Sequence, residues 1–210
     1  VSIPKLTAEE LLKMPQEQRD LWMELVRQDE WRHGEIKRLT AQGEFGQALA
    51  LCDSQERART LLSFVDVISD QELRQLMADW WSSTEAWQGD PTLRRGMMWL
   101  LQRVAPVIVD PKRTLPTDSA LEVYRGNMGE RPGAGSWTLD PEIAEKFASA
   151  AFSVRAALVF GIAPGLDDTP TVWKGYVLAE DVWGYFDDRG EQEIVIGKAP
   201  IGITKLKEGS

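Results

Sequence analysis

Ala105-Pro106-Val107-Ile108-Val109-Asp110-Pro111-Lys112-Arg113-Thr114-Leu115-Pro116-Thr117-Asp118 divides this chain in two. Prolines at 106, 111 and 116 stop any helix, and each pushes the residue before it toward extended backbone. Before this stretch, apolar residues recur at helical spacing; after it, glycine becomes frequent and short β-rich runs take over. The shift places a domain boundary near residue 112, with an all-α domain over 1–111 and a β-rich domain over 112–210. The expected class is α+β, the second domain consisting of two packed sheets.

Working back toward the N-terminus, every local signal is helical. Thr7-Ala8-Glu9-Glu10 and Ser69-Asp70-Gln71-Glu72 both match a capping box. Pro15 splits the first helical run into a short turn and a longer helix. Asp90-Pro91 supplies a cap and a proline at the first helical position, ahead of Leu93, Met97, Leu100, Leu101 and Val104. Trp22, Trp31, Trp80, Trp81, Trp87 and Trp99 fall in this half, and their helical spacing reads as bundle core rather than ligand surface. Its acids and bases alternate along solvated faces, and it contains no catalytic constellation.

Toward the C-terminus, Leu121-Glu122-Val123-Tyr124-Arg125 alternates as a strand and Ser136-Trp137-Thr138 follows as a second. Asp140-Pro141 opens a helix through Phe147 and Ala151. Further strands are expected at 156–162, 171–178, 193–196 and 200–205, with one helical turn near Glu180. Glu191 and Glu193 stand two apart before the run Ile194-Val195-Ile196. Strand alternation gives both acids one face, either as solvated groups on an edge strand or as carboxylates at the mouth of a sheet.

The whole chain of 210 residues carries a net charge of −9, with no long basic run, which argues against a nucleic-acid groove. One cysteine, Cys52, and one histidine, His33, leave no disulfide framework and no Cys/His zinc site. Cys52 reads as a buried thiol and His33 as a surface imidazole. No apolar run reaches the length of a membrane span, and no signal-peptide pattern stands at the N-terminus. A soluble, cytoplasmic protein with no metal and no membrane partner is expected, whether in the producing cell or in an infected or intoxicated host.

The order of polar residues along the β-rich half carries a resemblance. An arginine ends a strand in Val123-Tyr124-Arg125-Gly126. Ser136-Trp137-Thr138 precedes the Asp-Pro-capped helix, and Glu191-Gln192-Glu193 opens a strand. This succession resembles the mono-ADP-ribosyltransferases of the Arg-Ser-Glu type, such as arginine-modifying bacterial toxins and related bacteriophage enzymes, over about residues 118 to 206. The resemblance implies NAD as co-substrate and an arginine of a target protein as acceptor.

By the same resemblance, Arg125 with Gly126 holds the diphosphate, for which a guanidinium fork is suited. Ser136 holds the rotamer of the catalytic carboxylate, and Thr138 supports the nicotinamide-ribose pocket. Phe147 either faces the nicotinamide or packs in the core. Glu193 is the catalytic carboxylate, stabilising an oxocarbenium-like transition state as in glycoside hydrolysis. Glu191 pairs with the incoming arginine. Related toxins often carry an aromatic three residues before the first acid; Asp188 stands there instead, leaving Phe186 and Tyr185 as displaced residues for protein-substrate recognition. The helical half would then dock a partner or the target. An NAD glycohydrolase, with water as acceptor, fits the same residues, and a non-enzymatic phage or scaffold protein that kept the fold is the third reading.

Overall fold

Ser69 and Glu72 do form their reciprocal cap, and the helix they open belongs with the strands rather than with the helices before it. The structure is a computed structural model that describes residues 6–84, 90–109, 120–128, 132–149, 170–187 and 190–208. Its compact units are Val1–Ile68 and Ser69–Ser210, so the division falls well before the composition shift near residue 112. The physical reason is that Leu73, Leu76, Met77, Met97, Leu100, Leu101 and Val104 are buried, giving the two helices after Ile68 a full apolar face.

The first unit contains α1 (Ala8–Lys13), α2 (Gln16–Ala41), α3 (Phe45–Ala50) and α4 (Ser54–Ser63). The Thr7–Glu10 capping box forms, and Pro15 precedes the long helix. The core gathers at the C-terminal end of α2: Leu39, Phe45, Ala48, Leu49, Leu61 and Phe64 are buried, and the rings of Phe45 and Phe64 lie 4.8 Å apart. Cys52 is buried there, and burial pushes its thiol pKa up, away from thiolate chemistry. His33 stands half-exposed beside Asp29 and Glu56. Trp31 is 64% exposed, so the tryptophans are not uniformly core.

The second unit holds α5 (Asp70–Trp80), a 3-10 turn at Trp81–Ser83, and α6 (Pro91–Val104). Then come β1 (Val107–Ile108), β2 (Leu121–Met128), β3 (Gly135–Thr138), α7 (Pro141–Ala148), β4 (Pro170–Val177), β5 (Val182–Phe186), β6 (Glu193–Ile196) and β7 (Ile201–Glu208). Asp140 caps α7 by accepting from the Glu142 N–H at 2.8 Å. The strand expected at 156–162 lies outside the described residues. Two separate sheets were expected; the described strands instead join in one, ordered β1-β5-β6-β3-β2-β4-β7, with β1–β5 parallel and every other pairing antiparallel. The junction in its middle is narrow, since β2 and β3 share the single pair Tyr124–Thr138. One apolar cluster draws Trp137, Tyr185, Ile194 and Ile196 from one side of that junction and Val123, Trp173 and Val177 from the other.

β5 went unread in the sequence, where Glu180 to Trp183 was assigned to a helical turn. The turn occupies Ala179–Asp181, and the run Val182-Trp183-Gly184-Tyr185-Phe186 pairs along β6. Gly126 is covered by α7: a Cβ there would stand 1.8 Å from the Ala144 carbonyl oxygen. Its lack of a side chain lets helix and strand backbones meet.

Candidate functional site

Beyond the Tyr124–Thr138 pair, β2 and β3 part. Arg125 to Met128 stay paired with β4, and Gly135 to Trp137 stay paired with β6. The opening is therefore bordered by Arg125 and Gly126 on one strand and by Gly135 and Ser136 on the other. Glu193 sits directly across β3 from Thr138, on the next strand, and Ser136 lies across from Val195. Residues far apart along the chain thus come from three consecutive strands, β2, β3 and β6.

Arg125 reaches toward Gly135. A Cβ built on Gly135 would lie 3.4 Å from Nη1 of Arg125 and 3.4 Å from Nη2 of Arg94, which projects from α6. The two guanidinium groups are therefore no more than twice that distance apart. Gly135 has φ +121°, a conformation that L side chains avoid, so the backbone there favours glycine. Among the described residues neither arginine forms an ion pair with an acid. Burial pushes the Arg125 pKa down, the Arg94 charge adds to that, and the Glu193 carboxylate opposes it. Two like charges at such a separation repel by roughly 2 kcal/mol at the dielectric usual for proteins. An anion between them reverses that sign.

Glu193 is half-buried and is held by a residue that the sequence did not single out. Trp81 Nε1 donates to Glu193 Oε2 at 3.1 Å, and its indole stacks on Phe186, with centroids 5.2 Å apart and planes 12° from parallel. The sequence assigned the holding of this carboxylate to Ser136, but Ser136 makes no hydrogen bond to it. Serine's short side chain is a diagonal neighbour in the ladder, a separation of about 7–8 Å. The indole arrives from the end of α5 and takes that position.

The loop ahead of β6 is built on Asp187. Its carboxylate accepts from the Gln192 N–H at 3.1 Å and from the Tyr185 hydroxyl at 3.2 Å, and its carbonyl accepts from Gly190 N–H at 3.0 Å. Thr138 ties the same loop to β3, donating to the Glu191 carbonyl at 2.7 Å and accepting from Asp140 N–H at 3.1 Å. Gln192 has φ 46°, and β6 begins only at Glu193. Strand alternation therefore does not extend back to Glu191, and the argument that periodicity puts both acids on one face fails at the left-handed residue between them.

Three further expectations change. Tyr185 and Phe186 are 0% and 1% exposed, so neither is open to a protein acceptor; one packs in the central cluster and the other under Trp81. Thr138 is buried, and its hydroxyl is committed to the loop and to Asp140, which makes it a positioning residue rather than part of a pocket wall. Gly126 touches α7 and not open space. Phe147 is half-buried on α7.

Beside Gly135 runs an open groove of about 330 Å³, lined by Arg94, Met98, Trp99, Gln102 and Trp183 among others. Trp99 is 50% exposed, whereas Trp183 lies against the backbone of Gly197, where a Cβ would come within 2.1 Å of its ring. Trp81, Arg94 and Trp99 all belong to the stretch that the sequence reading had judged free of catalytic groups. An Arg-Arg pair one turn after an Asp-Pro cap was the sole local hint. Among the described residues no group of His, Cys, Asp and Glu could hold a metal ion, and no helix is long and apolar enough to cross a membrane. Comparison with family models, curated proteins and solved structures finds no match to this chain.

Proposed function

We propose that this chain transfers ADP-ribose from NAD to an arginine of a target protein. The observation that supports this reading is that Arg125 and Glu193, from strands on either side of β3, are near enough for their charges to interact beside the place where the sheet opens, with Ser136 on the strand between them. A desolvated guanidinium with no ion pair among the described residues fits a diphosphate, and a half-buried carboxylate near it fits a sugar that gains positive charge. NAD would supply a ribosyl–nicotinamide bond whose electron pair leaves with the nicotinamide. Glu193 would stabilise the charge developing on the sugar, with Trp81 holding its carboxylate in place. The new bond would join the ribose carbon to a nitrogen of the acceptor arginine, whose proton passes to Glu191 or to solvent.

Hydrolysis of NAD is the second reading, and one observation favours it. With Tyr185 and Phe186 buried, Glu191 alone remains of the residues assigned to a protein acceptor. Incubation with labelled NAD and a cell lysate separates the two. Label retained on protein supports transfer, whereas free ADP-ribose with unlabelled protein supports hydrolysis. Absence of any nicotinamide release would sink both.

A further inference from the structure

Two features of the second unit have no role in the chemistry above: the arginine on α6 that shares Gly135 with Arg125, and the aromatic groove next to it. Arg94 and Arg125 approach the same glycine from a helix and a strand, each to 3.4 Å of the missing Cβ. Like charges brought together repel, and among the described residues neither guanidinium forms an ion pair with an acid, so the pair gains from a ligand with at least two negative oxygens. A single phosphate contact satisfies one guanidinium; a diphosphate spans two.

The groove that Arg94 lines also has two indoles in its wall, one half-exposed and one braced against Gly197, together with Gln102. Flat aromatic faces beside a cationic site are what a nucleobase stacks on, at about 1–3 kcal/mol per base in single-stranded nucleic-acid complexes. The net charge of −9 argues against a polymeric nucleic acid and leaves a small nucleotide.

We infer that Arg94 and Arg125 form a two-guanidinium clamp over Gly135 for the diphosphate of a nucleotide, whose base lies in the groove between Trp99 and Trp183. This deepens the NAD reading and rests on it for the identity of the ligand, though the clamp itself asks only for a nucleoside diphosphate. It also gives α6 a binding task, whereas the resemblance leaves the helical half to docking a partner or the target.

Calorimetric titration of the full chain with ADP and with inorganic pyrophosphate tests the clamp. Arg94→Gln is expected to weaken both about tenfold, the loss of one charge-assisted contact, and to make binding less sensitive to salt. Arg94→Lys should recover part of the affinity, because charge returns without the fork. Trp99→Ala should weaken ADP severalfold and leave pyrophosphate unchanged. Both positions are solvent-exposed, and melting curves matching the parent will show that the variants fold. Unchanged ADP and pyrophosphate affinity in Arg94→Gln overturns the clamp, and unchanged ADP affinity in Trp99→Ala overturns the placement of the base. The two proposals fail separately: NAD cleavage with an indifferent Arg94 removes the clamp alone, whereas Arg94-dependent ADP binding without NAD cleavage removes the transferase alone. A parent protein that binds neither ligand removes the clamp, and the labelled-NAD assay then decides the transferase by itself.

Discussion

Arg32 in the first unit and Arg125 in the second are both partly buried guanidinium groups, and their surroundings are opposite. Arg32 lies 2.6 Å from Glu56 and 2.6 Å from Asp29. Burial pulls its pKa down, but hydrogen bonds and charge from those two acids outweigh this and raise it. Arg125 has burial and a neighbouring arginine working together against its charge, and the Glu193 carboxylate opposes them without reversing the outcome. A buried charge ordinarily brings its counter-ion within the chain, because desolvation without a partner costs several kcal/mol. Arg32 obeys that rule and reads as architecture. Arg125 has no such ion pair among the described residues, only the more distant influence of Glu193, and on the proposed reading its close counter-ion is the substrate.

The largest expected effect concerns the acid nearest the under-compensated arginine. Glu193→Gln should lower the rate of NAD cleavage about a thousandfold, the scale of losing one electrostatic stabiliser of a transition state, while NAD still binds. A variant that cleaves NAD at the parental rate would remove Glu193 from the chemistry. Next comes the direct contrast. Arg125→Gln should raise the Kd for NAD about tenfold or more with no loss of melting temperature. Arg32→Gln should leave that Kd alone and cost about 1–3 kcal/mol of stability. Reversed outcomes in titration and thermal melts would break the comparison.

Smaller effects sharpen it. Glu191→Gln should spare release of free ADP-ribose and reduce label on protein, read from the same labelled-NAD assay. Parallel loss of both would deny Glu191 a separate role with the acceptor. Trp81→Phe keeps a ring on Phe186 and removes the donor to Glu193. A severalfold fall in kcat with KM unchanged is expected, about one hydrogen bond in size. A change confined to KM would show that Trp81 supports substrate binding instead.

Much of the architecture was legible in the sequence because it is local. The Thr7–Glu10 and Ser69–Glu72 boxes and the Asp90 and Asp140 caps join residues two or three apart, and all four form. The strands carrying Arg125 and Ser136 form where the residue pattern puts them. β5 is absent from the residue pattern because Glu180 to Trp183 reads as a helical turn, while pairing with β6 decides otherwise. The left-handed Gln192 left no trace in residue type, so the same-face argument for Glu191 had nothing to check it.

Residue pattern alone thus determined the α+β class, the helical N-terminal half and most strand positions, since caps, periodicity and proline act over a few residues. Only tertiary structure decided which groups meet. Trp81 and Glu193, 112 positions apart, come into contact because α5 packs with the sheet. Arg94 and Arg125 share one glycine because β2 and β3 part after a single pair. Such encounters follow from how apolar faces bury one another across the chain, and no local spacing encodes them.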